Sequence, residues 1–219
     1  MIDLQTLAPA LAIARHRHAE AYLALVVEGG YDEAGSGGRF RVQAGDVVVH
    51  RPYEAHLDRV DRRGARVINL AVPAPLARHL VGGTGTSPDI DRAMDLARRD
   101  PAAAVQALLA SWQPRAVAPR DWPDLLALAL DSPGDFALED WADRYDLAPA
   151  TLSRGFRRAF GVTPVAFRAE ARARRAWQSL TASDLPLAEL AVGAGFADQS
   201  HMTRAIRALT GRTPGAWRA

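Results

Sequence analysis

Near the C-terminus, arginine, hydroxyl and amide side chains recur at a spacing that suits one chemistry: hydrogen bonding to base edges and phosphates. Ser153 and Arg154 return 50 positions later as Thr203 and Arg204, and Arg157 returns as Arg207. An Arg fork suits guanine, Gln suits adenine, and Ser or Thr reach either bases or phosphates. The residues that must position these groups recur at the same offset. Gly161 becomes Gly211, Thr163-Pro164 becomes Thr213-Pro214, and Phe167-Arg168 becomes Trp217-Arg218. Matches at one offset that include turn residues mark a duplicated supersecondary unit. Each copy reads as a short helix, a turn and a second helix, the plan of a helix-turn-helix whose second helix enters the DNA major groove.

In the first unit, Leu138, Trp141 and Ala142 face inward from a supporting helix at i, i+3, i+4. Pro149 opens the next helix and Gly161 stops it. Leu152, Phe156 and Phe160 form its apolar stripe, which leaves Ala150, Thr151, Ser153, Arg154 and Arg157 outward. Arg154 is the candidate for a bidentate guanine contact, worth roughly 1–3 kcal/mol of discrimination. In the second unit, Leu187, Leu190 and Ala191 are inward, Gly193 to Gly195 supplies the turn, and Asp198 is the expected N-cap. Met202, Ile206 and Leu209 face the core, so Gln199, Ser200, His201, Thr203 and Arg204 face out. Arg157, Arg158 and Arg207 lie farther along their helices and read as phosphate clamps. A connecting helix from Thr163-Pro164 to about Leu180 carries Arg168, Arg172, Arg174 and Arg175. Its length of about 25 Å can hold the two units near the ~34 Å spacing of successive major-groove faces.

The charge distribution agrees. The chain has no Lys and a net charge of only +2, yet residues 149–219 carry eleven Arg against four acids. Residues 131–148 carry six acids and one Arg. A basic stretch of this kind suits phosphate binding. The absence of cysteine excludes disulfides and thiolate metal sites. No run of eighteen apolar residues predicts a membrane span, and Met1-Ile2-Asp3 lacks the start of a signal peptide. A cytoplasmic protein is expected.

Toward the N-terminus the pattern changes to β-structure over residues 16–72. The run from Tyr22 to Val27 is expected to end at Gly29-Gly30; Gly35 to Gly38 and Ala44-Gly45-Asp46 read as turns. Phe40 to Gln43, Val47 to Val49 and Val67 to Leu70 read as further strands, as in a small barrel or sandwich. Residues 73–88 read as a loop or hinge. Helices are expected over Asp89–Arg99, Ala102–Trp112 and Trp122–Leu130, with Leu96, Leu108 and Leu109 suited to either a dimer contact or the chain's own core.

The motifs Ser153-Arg154-x-Phe156, Thr163-Pro164, Ala191-x3-Gly195-Phe196 and Thr213-Pro214-x2-Trp217-Arg218 resemble the AraC/XylS family of bacterial transcription regulators. The resemblance implies an α+β chain of two domains. A small cupin-like β-barrel followed by helices precedes an all-α domain with two helix-turn-helix units joined by a connecting helix. The expected divisions are 1–86 as the effector or sensor domain, 87–131 as a helical linker or dimerisation region, and 132–219 as the DNA-binding domain. Ala150 is small where some relatives place a larger reader, which leaves base readout there to Arg154. Expected partners are double-stranded promoter DNA, a small-molecule effector, RNA polymerase if the chain is an activator, and a second copy of the chain.

In the β-domain, His16-x-His18 resembles the first cupin motif, and Gly45-Asp46, Pro52 and His56 resemble the second. That likeness implies a divalent metal held by His16, His18 and His56, since imidazoles suit Zn, Fe or Ni. Tyr22 stands where the motif's Glu is expected and Glu54 where Gly is usual, and an Arg-rich loop from Arg15 to Arg17 would leave the first two His in solvent. An effector pocket is the other expectation, with Tyr22, Tyr31, Tyr53 and His56 as lining residues. The main reading is a ligand-responsive, non-enzymatic transcription factor. Its alternatives are a metal-binding cupin, enzyme or sensor, fused to a DNA-binding domain, and a regulator switched by a protein partner.

Overall fold

A computed structural model describes residues 3–77 and 80–218. The chain divides into two compact units, 1–120 and 121–219. The first contains β1 (Asp3–Leu7), β2 (Ala12–Arg17), β3 (Tyr22–Gly35), β4 (Gly38–Gln43), β5 (Asp46–His50) and β6 (Ala55–Ala71). It continues with α1 (Ala74–Ala77), β7 (Gly83–Thr86), α2 (Ile90–Ala97), α3 (Pro101–Ser111) and β8 (Gln113–Pro114). The second contains α4 (Trp122–Asp131), α5 (Leu138–Arg144), α6 (Pro149–Phe160), α7 (Pro164–Ala182), α8 (Leu187–Gly193), α9 (Gln199–Thr210) and α10 (Pro214–Arg218). Among the described residues, no helix is long and apolar enough to cross a membrane.

The antiparallel sheet of the first unit is built on two long strands. The N-terminal half of β3 lies between β5 and the end of β6; its C-terminal half lies between β4 and the start of β6. Register shifts between Val26 and Tyr31 let the strand change direction instead of ending at Gly29-Gly30. Gly29 has φ of +69°, and a Cβ there would lie 2.0 Å from the carbonyl oxygen of Gly64. Only glycine permits that approach.

Alternation then assigns the two faces. Leu23, Leu25, Val47, Val49, Ile68 and Leu70 bury against Ala93, Ala97, Ala104, Val105 and Leu108 of α2 and α3. Ala24, Val26, Val48 and Val67 face the other way and cluster with Tyr31, Phe40, Val42 and Val60. Leu108 is therefore core, with Leu96 and Leu109 partly buried against the same cluster; these leucines serve the chain's own packing.

Two expectations are corrected here. Residues 73–88 are not simply a loop: β7 pairs with β5 and β8 extends the sheet from β7. Gly83-Thr84-Gly85 carries no apolar signal, because Gly85 is selected for close packing, with Gln113 oxygen 2.2 Å from where its Cβ would be. The region 87–131 is also not one piece. α2 and α3 pack on the sheet, whereas α4 belongs to the second unit. The division falls after Arg120 because Gly155 of α6 admits the Trp122 ring, which a Cβ would approach to 2.5 Å, and because Asp131 at the end of α4 pairs with Arg174 of α7.

The second unit follows the duplicated pattern closely. α6 and α9 have twelve residues each and end at Gly161 and Gly211, with φ of 79° and 75°. The amides of these glycines bond back to Arg157 and Arg207 carbonyls. Thr163 caps the amide of Ala166, as Thr213 caps that of Ala216. The supporting helices, however, are offset by 49. Leu147 amide donates to Ala142 carbonyl and Phe196 amide to Ala191 carbonyl, at 3.0 and 2.9 Å. One extra residue thus precedes α9. It brings Asp198 to the N-cap, accepting from His201 amide, whereas α6 begins on Pro149 with no side-chain cap.

Candidate functional site

Each unit presents one candidate site. In the helical unit, Leu152, Phe156 and Phe160 bury one face of α6, with the Phe156 and Phe160 rings 4.7 Å apart and Phe167 of α7 against both. That burial leaves Ala150, Thr151, Arg154, Arg157 and Arg158 exposed, with Ser153 half-buried. Met202 and Ile206 anchor α9 in a core with Ala176, Leu180, Leu190 and Phe196. Gln199, Ser200, His201, Arg204 and Arg207 are exposed and Thr203 is half-buried. His201 is also held edge-on to Phe196 at 5.1 Å. The two helices therefore offer equivalent faces with different chemistry. α6 carries a small first turn and cations, and α9 carries amide, hydroxyl and imidazole groups before its cations.

The arginines of α7 serve another purpose. Arg174 is buried and pairs with Asp131 at 2.7 Å; Arg175 donates to the Asp131 carbonyl. Arg168 pairs with Asp135 at 2.8 Å while lying over the Phe136 ring, and Arg172 reaches the same carboxylate. The acidic stretch before the repeat thus offsets part of the connecting helix's charge. Net positive charge is left mainly to α6 and α9.

In the β-unit, the strand registers bring together side chains far apart in sequence. His16 on β2 is the direct partner of His56 on β6, and their ring centroids are 4.3 Å apart. Tyr22 on β3 is the partner of His50 on β5, with the rings stacked at 4.4 Å. Glu33 on β3 is the partner of Asp58 on β6. The rings of His50 and His56 then meet at 4.4 Å, and Tyr22 hydroxyl lies 3.3 Å from His56 Nε2. His50 Nε2 is 3.6 Å from Glu33 Oε2 and His56 Nε2 is 3.8 Å from Asp58 Oδ2.

Burial sets the charge state of this cluster. It lowers His50 to about 4, and lowers His56 to about 2 with help from the neighbouring imidazoles. Both rings are neutral around pH 7. Burial also raises Asp58 to about 7, and raises Glu33 well above the ordinary carboxylate range, with Asp58 adding to the shift. Tyr22 is pushed up by burial and by Glu33. The result is a set of neutral nitrogens and reluctant carboxylates, with Glu33 Oε2, His56 Nδ1 and Asp58 Oδ1 buried and without hydrogen bonds among the described residues.

His16, His18 and His56 do converge, with ligand atoms within 4.8 Å of one another. His16 lies on a strand and is half-buried, not in a solvent loop; His18, just beyond the strand, is exposed. Tyr22 and His56 share the cluster, while Tyr31 is buried among the apolar residues around Phe40 and Val60. Tyr53 sits at φ of 57° on the β5–β6 turn, its amide donating to His18 carbonyl. Glu54 closes this turn by accepting from the Arg51 amide and side chain. Asp46 accepts from Gln43 amide and a fork from Arg115, which ties the end of the unit to the sheet. Glu33, His50 and Asp58 escaped the sequence reading because they lie in no spaced motif. An acid or His at alternate strand positions, pointing to the same face as Tyr22 and His56, was the available signal.

A two-unit chain with duplicated helix-turn-helix elements behind a β-domain defines a class of regulator. The AraC-like ligand binding domain matches residues 8–120, and a helix-turn-helix domain matches residues 141–219. The chain belongs to the AraC family of transcription regulators. The ornithine utilization regulator of Pseudomonas aeruginosa is 38% identical over 92 residues, covering 42% of this chain and 27% of that protein. The arabinose operon regulatory protein of Escherichia coli is 29% identical over 85 residues, covering 39% of this chain and 29% of that protein. Each match therefore spans less than a third of the relative's own length. The structure of unsaturated fatty acid-bound ToxT from Vibrio cholerae aligns with 99% of this chain and 94% of its own, at 10% identity and a TM-score of 0.43.

Proposed function

We propose that this chain binds promoter DNA in a sequence-specific manner through α6 and α9, under control of a ligand held in the β-unit. The observation that carries the reading is the pair of equivalent exposed faces, 150–158 and 199–207, on helices of equal length and equal C-caps. α7 has nineteen residues, or about 28 Å of helix, a length that suits two units reading adjacent groove segments in one chain. Arg154 and Arg204 are assigned to bases; Arg157, Arg158 and Arg207 are assigned to phosphates. The ligand is assigned to the polar cluster around Tyr22 and His56, whose unpartnered buried atoms call for an occupant.

On this reading the chain works in the cytoplasm, where the chromosome is. Its protein partners are RNA polymerase, if it activates, and a second copy of itself. Selection of bound fragments from sheared source-genome DNA by the purified chain tests the core claim. A recurring bipartite motif with two unlike halves about one helical turn apart is expected. Recovery of fragments without a common motif would overturn it.

A further inference from the structure

We propose that Glu33, His50 and His56 form a divalent transition-metal site inside the β-unit, a set distinct from the His16, His18 and His56 group. Each of the three contributes one ligand atom, and these atoms all lie within 4.8 Å of one another. Two ligands on one zinc ion, each about 2.0–2.1 Å from it, are roughly 3.3 Å apart. The site therefore needs a contraction of at most about 1.5 Å, and His50 Nε2 already lies 3.6 Å from Glu33 Oε2.

Three observations favour a metal over an organic occupant. All three side chains are buried, whereas His18 of the outer group is exposed. Among the described residues, Glu33 Oε2 and His56 Nδ1 have no hydrogen-bond partner, although buried polar atoms of this kind are nearly always satisfied. The donors are also too close together to admit an organic group between them, while a single ion bridges them once they contract. Two imidazoles and a carboxylate suit zinc, nickel or iron(II), and do not suit magnesium, which prefers an octahedron of oxygens. His50 adjoins His56, and Tyr22 hydroxyl and Asp58 Oδ2 lie 3.3 and 3.8 Å from His56 Nε2. These groups can hold the second imidazole in orientation.

The binding claim stands apart from the DNA reading; only its regulatory consequence, metal-dependent promoter affinity, rests on that reading. The test uses the full chain, stripped with chelator and titrated with Zn²⁺ by calorimetry, with bound metal counted by mass spectrometry. Stoichiometric binding is expected, weakened by more than about tenfold in Glu33→Gln and in His50→Ala, with Mg²⁺ not binding. Glu33→Gln keeps the side-chain shape, and circular dichroism checks that each variant is folded. The proposal is overturned if the wild type binds no zinc. It is overturned equally if Glu33→Gln and His50→Ala bind like wild type while His16→Ala does not, which would place the ion on the outer group. DNA affinity measured on the same stripped protein keeps a failure of the DNA reading separate from either result.

Discussion

Glu33 and Asp58 are direct cross-strand partners, both buried, in a sheet where like charges facing each other oppose folding. Burial raises both carboxyls, Asp58 to about 7. With Asp58 bound to a proton more tightly in the native than in the unfolded chain, its contribution to stability falls as pH rises from about 4 to about 7 and then levels off. Asp58→Asn removes that loss. In chelator-treated protein it should therefore raise stability at pH 8 by on the order of 1 kcal/mol, and change it little at pH 4. Urea denaturation at the two pH values checks this; an equal effect at both would mean that Asp58 is ionised in the native state throughout.

Gly155 is the contact point between α6 and α4. A Cβ would lie 2.5 and 2.8 Å from two atoms of the Trp122 ring. Gly155→Ala improves helix propensity, yet it must push the indole aside. Overpacking of this kind costs about 1–3 kcal/mol, more than the roughly 1 kcal/mol that Ala gains over Gly. A lower urea midpoint for the helical unit is expected. The double variant Gly155→Ala, Trp122→Ala should show a smaller effect of the alanine, and simple additivity would refute the contact.

The helical unit was largely legible in its sequence because its signals are local: Pro149 and Pro164 start helices, Gly161 and Gly211 end them, and the stripes of Leu152, Phe156 and Met202, Ile206 repeat at helical spacing. The one-residue insertion before α9 was hidden, since it lies in a turn where no apolar period runs. In the β-unit the strands were legible but their pairings were not. That Glu33 faces Asp58 and Tyr22 faces His50 depends on register across long sequence separations. The bends at Gly29 and Gly64 that set this register are tertiary contacts. The charge count of residues 149–219 does not show that Arg168, Arg172, Arg174 and Arg175 are engaged by Asp131 and Asp135, a pairing set by tertiary contacts.

That engagement makes a prediction of its own. Arg174 is buried against Asp131 at 2.7 Å. Removing a carboxylate that accepts from a buried guanidinium costs about 1.5–3 kcal/mol. Asp131→Ala should therefore lower the denaturation midpoint of the helical unit substantially. Promoter affinity at a temperature where the variant is folded should hold within about twofold. A large gain in affinity on losing the acid would instead mean that the α7 arginines are held back from phosphates by Asp131.

Arg154 and Arg157 separate the two roles on one helix. Both are exposed on α6, Arg154 nearer its start and Arg157 in its last turn. A bidentate base contact is worth about 1–3 kcal/mol and acts at one position of the site. Arg154→Ala should thus reduce affinity for the selected motif by about 5- to 100-fold and relax preference at one base pair. Arg204→Ala should do the same in the other half. Arg157→Ala and Arg207→Ala should weaken all sequences alike and each reduce the slope of log affinity against log salt by about 1. Because α9 adds Gln199, Ser200 and His201 where α6 has Ala150 and Thr151 beside Pro149, more base positions should be specified in the α9 half than in the α6 half. Quantitative binding to a library randomised at each position decides it, and equal information in both halves would count against the proposed difference between the two helices.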